Sequence, residues 1–400
     1  MSEAESKMDN RPLVIQVAQR ISVSDGGPAK NAVDLDNALQ TYGNVDSRLF
    51  WLSGTDEETV IARGVSPLAP QRPLRLRLAG KSKSTRCSLI QFLRHAKQAD
   101  LVIAHGYFLW WLPILSALLS LFGTSFVIVP HGSLTARQQG ISKRKKALFE
   151  FLMGWYVRTK SEAFIVYSES ELNDLGQKFP DSRIVLSTIG IDIPIQRMND
   201  NVVHSPVRLL SMSRIAPKKR IDLAIAAVKQ LSDMDIGVQL LVAGSGDTKL
   251  LQTLKKMAHS LGVADKIVFA GELAGAEKRS AFLESDFFLL PSEDENFGIG
   301  FAEAMAYGLP SVVSIYVGSA ESMPEEAGVK IEKLTPEDLT FGIVEALNKD
   351  YSIAQLAAHS HALQYFSWES VVLGWVELIK QQRKASAETP KFIRPDRSNS

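Results

Sequence analysis

The chain has 400 residues, of which 45% are hydrophobic and 22% charged, and its formal net charge is +1. This length favours two domains over one, and the balanced charge excludes the strong overall field typical of nucleic-acid-binding proteins. The single cysteine excludes an intramolecular disulfide framework and any multi-cysteine zinc site, which favours a reducing, cytoplasmic setting.

Apolar runs of strand length alternate with amphipathic runs of helix length along the chain. Continuous Val/Ile/Leu runs are typical of parallel strands that are buried on both faces. Such runs predict strands that begin at Leu13, Leu101, Phe126, Ala163, Ile184, Val207, Val238, Lys266, Phe287 and Ser311. The alternation therefore predicts an α/β protein built from two doubly wound, Rossmann-like domains.

The alternation lapses once, and this lapse sets the predicted domain boundaries. We expect an N-terminal domain over 1–190, a linker over 191–206, a C-terminal domain over 207–366, a helix over 367–382 that could cross back, and a disordered tail over 383–400. Open sheets of this type bind ligands beyond the carboxyl ends of their strands. We therefore expect a shared site in a cleft between the two domains.

One uncharged segment, Tyr107–Phe122, approaches membrane character. It contains Pro113 and is shorter than a usual membrane span of about 20 residues, which favours a buried helix over a membrane-touching element. The polar start of the chain lacks the basic and apolar regions of a signal peptide.

Two glutamates, Glu295 and Glu303, flank seven residues that include Gly298 and Gly300. Because a predicted strand precedes them and a helix is expected from about Gly300, Glu295 would lie in the loop and Glu303 in the first helical turn. The amides at this helix start could bind an anion, and Glu303 could accept hydrogen bonds from a ribose diol. Two alternatives stay open: a purely structural Glu303, or a hydrolase, which needs a facing acid and base.

A second group of polar residues follows the predicted strand at Val207. Arg214 and Lys219 precede a predicted helix at about Asp222, where two cations would form a diphosphate clamp without a metal. The alternative is a solvated basic turn over Lys218–Arg220. Gly244 follows the next strand and permits a tight turn close to a ligand, which is weak evidence by itself.

The first half offers fewer candidates. Gly26 and Gly27 suit a loop that passes close to a ligand, but their spacing is not the dinucleotide-binding pattern, which argues against a nicotinamide-dependent oxidoreductase. His131 follows a predicted strand, and His105 is similarly placed; either could be structural. No metal-ligand spacing is present, and Asp34 and Asp36 are interpreted as surface charges.

These segments together resemble the retaining GT-B glycosyltransferases of family 4, including members that build bacterial surface polysaccharides. The resemblance is carried by SRIAPKKRIDLAIAA, LLVAGSGD, KIVFAGEL and PSEDENFGIGFAEAMAYGLPSVVS, over about 207–314, and is looser in the N-terminal half. The segment PHGSL, which holds His131, also contributes. The chain departs from the family pattern where Ser213 and Arg220 replace usual glycines.

The resemblance implies a role for each matching position. Arg214 and Lys219 would bind the donor diphosphate, Glu303 the ribose and Glu295 the transferred sugar, while His131 would lie near the anomeric centre. The remaining positions implied or suggested to bind the donor are Gly26, Gly27, Gly244, Leu273, Phe297, Gly298 and Ile299. No metal or other cofactor is implied, and the nucleotide-diphosphate sugar is a co-substrate.

The resemblance implies a metal-independent hexosyltransferase that transfers a sugar, with retention, to a glycan or lipid-linked acceptor in exopolysaccharide, capsule or lipopolysaccharide assembly. The alternatives are an inactive GT-B scaffold, a nucleotide-sugar epimerase and a phosphorylase. Lys143–Lys146 precede an aromatic-rich helix that could contact the cytoplasmic membrane face or be a buried helix with a solvated basic end.

Overall fold

The computed structural model of the protein describes residues 11–21, 27–52, 74–77, 86–135, 138, 143–195 and 202–388. Its strands are β1 (Leu13–Ala18), β2 (Asp46–Trp51), β3 (Leu74–Arg77), β4 (Arg86–Ser88), β5 (Leu101–His105), β6 (Phe126–Val129), β7 (Ala163–Val166), β8 (Ile184–Leu186), β9 (Val207–Met212), β10 (Val238–Ala243), β11 (Ile267–Gly271), β12 (Phe287–Leu290), β13 (Ser311–Ser314) and β14 (Gly328–Ile331).

Helices connect most of these strands. They are α1 (Gly27–Thr41), α2 (Leu89–Gln98), α3 (Leu112–Phe122), α4 (Lys143–Phe149), α5 (Trp155–Lys160), α6 (Glu169–Lys178), α7 (Ile221–Asp233), α8 (Thr248–Ser260), α9 (Gly275–Leu283), α10 (Ile299–Ala306), α11 (Pro336–Leu347), α12 (Tyr351–Tyr365) and α13 (Trp368–Glu388). A π-helical turn, Glu150–Gly154, joins α4 to α5, and a 3-10 turn, Pro217–Lys219, precedes α7.

The first sheet has eight strands in the order β4-β3-β2-β1-β5-β6-β7-β8. The pairs from β4 to β7 run parallel, and β1 lies between β2 and β5. Val14, Ile15 and Val17 of β1 are buried, as expected of a central strand that is covered on both faces. The strand order reverses between β1 and β5, so this is the point where a doubly wound sheet opens for a ligand.

The second sheet has six parallel strands in the order β11-β10-β9-β12-β13-β14. Its strand order reverses between β9 and β12. The loops that follow these two strands begin at Ser213 and Pro291, so both candidate motifs of this half start at the switch point. The prediction of two doubly wound, Rossmann-like sheets is confirmed, and each predicted strand is present within one residue of its predicted start.

The chain divides into two compact units. The first contains the described residues within 1–130, 144–164 and 372–400, and the second those within 131–143 and 165–371. His131 therefore belongs to the second unit together with the motifs after β9 and β12. The predicted domain boundaries at 190 and 207, and the predicted cleft site, stay predictions.

Some elements of the structure are absent from the sequence prediction. β2, β3 and β4 contain arginine or aspartate among their apolar residues, and β14 contains Lys330, so none of them has the continuous apolar run that is typical of a buried parallel strand. The predicted tail also begins too early, because α13 continues to Glu388. Lys, Ala and Glu are strong helix formers, which explains the extension; residues 389–400 lie outside the described part.

The interpretation of Asp36 as a surface charge is wrong. Its side chain is buried between α1 and β2, where it accepts hydrogen bonds from Ser47 Oγ at 2.6 Å and Gln40 Nε2 at 3.2 Å. Burial raises the pKa of Asp36 to about 7. Asp36 is therefore part of a buried polar network in the first unit.

The uncharged segment Tyr107–Phe122 contains α3. Leu112, Leu115 and Leu119 of this helix are buried, whereas Ile114 and Leu121 face solvent. None of the helices in the described ranges combines the length and apolar character that a membrane crossing requires.

Candidate functional site

The loop between β12 and α10 holds the two signature glutamates. Glu295 lies in this loop, where its N–H donates to the Tyr316 carbonyl at 3.0 Å and its own carbonyl accepts from Gly318 N–H at 2.9 Å. The sequence predicts Glu303 in the first turn of this helix. Because α10 begins at Ile299, Glu303 lies in the second turn instead. The carboxylate is therefore set back by one turn from the amides at the start of the helix.

The start of α10 requires glycine at position 298. Gly298 has φ +97°, and a Cβ there would lie 2.7 Å from Cγ1 of Val317. The Gly298 carbonyl accepts from the amides of Phe301 and Ala302, so the N–H groups ahead of them have no carbonyl of this helix as acceptor. The positive end of the helix dipole and these N–H groups make the turn suitable for an anion or a polarised oxygen.

Phe297 stabilises this turn through its ring and its backbone carbonyl. Its ring is buried in edge-to-face contact with Phe366, at 5.6 Å between centroids. Its carbonyl accepts hydrogen bonds from Ser319, through the backbone N–H at 2.9 Å and through Oγ at 2.5 Å. The side chain of Phe297 is therefore structural, and only its backbone can contribute to the site.

The basic turn after β9 lies directly beside this loop. Lys219 Nζ forms an ion pair with Glu295, and Glu293 N–H donates to the Lys218 carbonyl at 2.8 Å. The Lys219 side chain is only 11% exposed, so the alternative of a solvated turn is wrong for this residue. Arg214, in contrast, is exposed.

The electrostatics of Lys219 are set by its burial. Desolvation lowers the pKa of Lys219 to about 7, and the nearby cations Lys218 and Arg214 contribute in the same direction. The nearby Asp294 carboxylate opposes this shift, because an anion favours the charged ammonium. A second anion at this point, such as a diphosphate, would hold Lys219 in its charged form.

Arg220 stands where the family usually has glycine, and its backbone explains that preference. It adopts a left-handed conformation with φ +50° directly before α7, a region that non-glycine residues occupy at some cost. Its guanidinium pairs with Asp222 at 2.9 Å and with Glu293 at 3.5 Å. The turn therefore has a left-handed residue directly before α7 although the glycine is missing.

Two further strand ends complete this edge of the second sheet. Gly244 follows β10, donates its N–H to the Gly271 carbonyl at 2.6 Å and passes so close to Ser213 that a Cβ would lie 1.9 Å from the Ser213 carbonyl oxygen. Leu273 follows β11 and is partly exposed. The segments that follow four adjacent strands, β11, β10, β9 and β12, thus supply every predicted donor-binding position of this unit, with Ile299 and Glu303 on α10 and the others in the loops.

Glu303 already has a partner in this structure. Its Oε1 lies 2.7 Å from Nζ of Lys278 on α9, and the Lys278 side chain is 31% exposed. The Glu303 side chain is 16% exposed, so the pair is partly open to solvent, and a pair of this kind contributes on the order of 1 kcal/mol; a ligand hydroxyl can therefore compete for the carboxylate. Sequence reasoning missed Lys278 because nothing in the sequence indicates that α9 lies beside α10.

His131 lies in a turn that contacts the same loop. Its φ is +53°, and a Cβ on the following Gly132 would lie 2.9 Å from Cβ of Asn296, the neighbour of Glu295. The His131 ring lies 5.8 Å from that of Tyr167, and burial lowers its pKa to about 4. His131 is therefore a neutral imidazole at neutral pH, able to hydrogen-bond but not to act as a charged acid.

A buried glutamate, Glu171, holds this turn, and sequence reasoning missed it. Glu171 Oε1 accepts from Gly132 N–H at 2.7 Å, and Ser168 Oγ caps α6 by accepting from Glu171 N–H at 3.1 Å. Ser168 also contacts the Asn296 side chain at 3.1 Å. Ser168 and Glu171 have the spacing of a capping box, which was the available signal. In this protein the glutamate of the capping box, Glu171, accepts a hydrogen bond from the turn that holds His131.

The described candidates of the first unit, Gly27 and His105, lie on α1 and β5. Gly27 is the first residue of α1, and Gly26 lies outside the described residues. His105 is buried at the end of β5 and shares a hydrogen bond of 2.8 Å with Oε1 of Gln16, so it belongs to the buried network that includes Asp36. Within the described ranges, no group of three or more His, Cys, Asp or Glu side chains is arranged to hold a metal ion.

Two sequence models of protein families match the chain. "Glycosyltransferase Family 4" matches residues 26–193, and "Glycosyl transferases group 1" matches residues 192–360. The two matches adjoin and together extend through most of both halves.

Relatives among curated proteins are distant. An uncharacterised glycosyltransferase of Methanocaldococcus jannaschii is 28% identical over 177 residues, which cover 43% of this chain and 44% of that protein. The GDP-mannose:cellobiosyl-diphosphopolyprenol alpha-mannosyltransferase of Komagataeibacter xylinus is 25% identical over 386 residues, which cover 92% of this chain and 93% of that protein. For several other curated relatives, as for the Methanocaldococcus protein, the chain spans less than half of the relative's length.

Solved structures with the same fold are also glycosyltransferases. The crystal structure of a glycosyltransferase from Rickettsia africae superposes with a TM-score of 0.70 at 18% identity, covering 94% of this chain and 99% of that one. At this identity the likeness shows the fold, which is that of GT-B enzymes.

Proposed function

The chain belongs to glycosyltransferase family 4, and from this membership we propose that it transfers a hexose from a nucleotide-diphosphate sugar to a glycan or lipid-linked acceptor, with retention of the anomeric configuration. The observation that carries the proposal is the convergence, at the switch point of the second sheet, of a buried cation, an anion-ready helix start and two carboxylates.

The donor diphosphate would bind at the basic turn. Lys219 and Arg214 lie on the loop after β9, and the start of α10 lies on the loop after the neighbouring strand β12. When the bond between sugar and diphosphate breaks, negative charge develops on the departing nucleotide. A cation in a desolvated setting and oriented backbone N–H groups stabilise that charge. This charge balance needs no metal, so we propose a metal-independent reaction in which the nucleotide sugar is a co-substrate.

The nucleoside would lie over the ends of β10 and β11. Glu303 would accept hydrogen bonds from the ribose hydroxyls in place of Lys278, while Gly244 and Leu273 would present backbone to the donor.

The sugar would lie between Glu295 and the His131 turn. Glu295 would contact its hydroxyls, and the backbone of Phe297, Gly298 and Ile299 would lie beside it. His131 would hydrogen-bond near the anomeric carbon as a neutral ring, in keeping with its low pKa. The family resemblance also implies donor-binding roles for Gly26 and Gly27.

The acceptor is proposed from the relative that matches almost the full chain. The name of that protein gives GDP-mannose as its donor and a diphosphopolyprenol-linked cellobiose as its acceptor. We propose by analogy a polyprenyl-diphosphate-linked oligosaccharide at the cytoplasmic membrane face, in exopolysaccharide, capsule or lipopolysaccharide assembly. GDP-mannose is then the first donor to test.

A transfer assay tests this proposal. The protein is incubated with GDP-mannose, UDP-glucose or UDP-N-acetylglucosamine and a polyprenyl-diphosphate-linked glycan, and the product anomer is assigned by NMR. We expect transfer with one donor and retention of its anomeric configuration, with at least a hundredfold loss of rate in Lys219→Ala and Glu295→Ala.

The matched control is Lys218→Ala, since Lys218 neighbours Lys219 but pairs with Asp294 at 3.5 Å and has no proposed role. This variant is expected to retain at least a third of the wild-type rate. Inversion of configuration would overturn the proposed stereochemistry. Nucleotide binding without any transfer in the wild type would favour an inactive scaffold.

A further inference from the structure

The segment from α4 to α5 presents apolar side chains to solvent. Leu148, Phe151, Leu152 and Trp155 are 58%, 85%, 61% and 67% exposed, and we call these four residues the apolar face. Their spacing of three to four residues places them on one side of the helix. A helix on the surface of a globular protein normally turns such an apolar stripe toward the core. In this segment the apolar stripe faces solvent instead.

The inward side of the same helix explains this reversal. Glu150 and Arg158 form an ion pair there, and Arg158 also donates to the hydroxyl of the buried Tyr107 at 3.2 Å. Phe149 packs edge-to-face on Tyr107 at 5.5 Å. The polar and aromatic contacts that fix the helix to the first unit thus lie on the side away from the apolar face.

The π-helical turn increases the exposure of this face. It spans Glu150–Gly154, and Gly154 in it is buried; a Cβ there would lie 2.3 Å from Glu150 Oε2, so a side chain would displace the ion pair of Glu150 with Arg158. A π-turn inserts one extra residue, and here three consecutive residues from Phe151 to Met153 face solvent. The helix keeps its inward contacts on both sides of the turn while an additional apolar residue points outward.

A neighbouring helix extends the exposed apolar surface. α3 packs against α5, and its Ile114 and Leu121 are 56% and 80% exposed. Exposed apolar patches that are larger than a few isolated side chains mark sites where a protein meets another protein or a membrane.

Charge decides between these two partners. The segment from 143 to 160 contains six cationic residues and one acidic residue, Glu150, whose charge is paired inward. The cations lie at both ends, with Arg144 and Lys145 exposed before the apolar face and Lys160 exposed after it. Two copies joined through this face would bring like charges together in either relative direction. An anionic bilayer would instead attract both ends.

We propose that the apolar face, with the basic residues on either side of it, docks the protein on the surface of an anionic lipid bilayer. The side chains of Phe151 and Trp155 enter the boundary between headgroups and acyl chains, and Arg144 and Lys145 contact lipid phosphates. The inference does not depend on the proposed catalytic function, because docking needs neither donor nor acceptor.

Vesicle flotation of the full chain tests this inference. Vesicles of phosphatidylcholine alone are compared with vesicles that contain 30% phosphatidylglycerol, at low and high salt. We expect binding to the anionic vesicles that weakens with salt. Each basic residue near an anionic surface contributes about fivefold, so Arg144→Glu with Lys145→Glu should reduce partitioning by about thirtyfold or more. Phe151→Glu with Trp155→Glu should reduce it at least tenfold.

Matched controls come from the second unit. Lys249→Glu with Lys256→Glu reverses two exposed charges on α8, and Phe341→Glu replaces an aromatic residue that is 69% exposed on α11. Both controls should bind anionic vesicles as the wild type does. All variants should unfold thermally near the wild-type temperature because the changed side chains are exposed, so a loss of binding cannot be attributed to misfolding.

Three results would overturn the inference. They are equal binding to neutral and anionic vesicles, no effect of the Phe151 and Trp155 substitutions, and a concentration-dependent dimer in light scattering that these substitutions abolish. The last result would make the face an interface between two copies. A protein that floats normally but transfers no sugar would leave the docking inference intact and contradict only the proposed function.

Discussion

Replacing Glu171 by glutamine should change the pH dependence of stability in a defined way. Glu171 is fully buried, and burial raises its pKa from the usual 4.5 to about 7. In the folded protein it therefore retains its proton at pH values where the unfolded chain has already lost it. Its contribution to stability is complete below pH 4.5, decreases between pH 4.5 and 7, and is constant above that.

The size of the effect follows from this shift. A raise of about 2.5 pKa units corresponds to about 3 kcal/mol, most of which is lost by the wild type between pH 5 and pH 8. Glutamine can accept the Gly132 N–H but carries no charge at any pH, so it avoids this loss. Glu171→Gln should therefore gain about 2–3 kcal/mol relative to wild type between pH 5 and pH 8.

Thermal unfolding followed by circular dichroism at pH 5 and pH 8 measures this difference. A domain of 150–250 residues shifts by about 2–4 °C per kcal/mol, so the difference in unfolding temperature between variant and wild type should grow by about 5–10 °C. Glu169→Gln, an exposed neighbour on the same helix, should show no such growth. An equal difference at both pH values would refute the assignment of Glu171 as a carboxyl that is buried in its protonated form.

Three further outcomes are expected, two for substitutions in the second unit and one for removal of metal ions. Gly298→Ala should lower the unfolding temperature by several degrees and weaken nucleotide binding at least tenfold, because φ +97° and the 2.7 Å approach to Val317 both exclude a Cβ; calorimetry that finds wild-type affinity would contradict this. Lys278→Met should change nucleotide affinity less than about fivefold, since the partly exposed pair with Glu303 contributes on the order of 1 kcal/mol; a loss as large as that of Glu303→Ala would assign Lys278 to the ligand. Sugar transfer should persist in excess EDTA, and its abolition, with recovery on adding Mg²⁺, would contradict a metal-independent reaction.

The sequence was most informative where one physical constraint dominates. Strands that are buried on both faces are apolar throughout where no polar partner is available, so β6, β7 and β12 could be predicted from their side chains alone. β2 could not, because Asp46 and Arg48 interrupt its apolar run. The turn at Gly298 could be predicted for a similar reason, since only glycine satisfies both its backbone angle and its close contact with Val317.

Contacts between distant segments could not be predicted. Glu171 has the spacing of an ordinary helix cap, and only the fold shows that its carboxylate accepts from Gly132, 39 residues earlier. Asp36 resembles a surface charge in sequence because its partner Ser47 lies on another element. The pairing of Lys278 with Glu303 is of the same kind.

The most direct test of the account is whether Glu303 binds the ribose of a donor nucleotide. Calorimetry with the wild type first identifies which of UDP, GDP and ADP binds; that nucleotide and its 2′,3′-dideoxy analogue are then titrated into wild type and Glu303→Ala. Two hydrogen bonds to a carboxylate, less the lost pair with Lys278, predict about a hundredfold weaker binding of the ribonucleotide by the variant. The dideoxy analogue should bind both proteins with the same, weak affinity. An equal loss for both ligands would show that Glu303 supports the site without contacting the ribose, and would contradict the central claim.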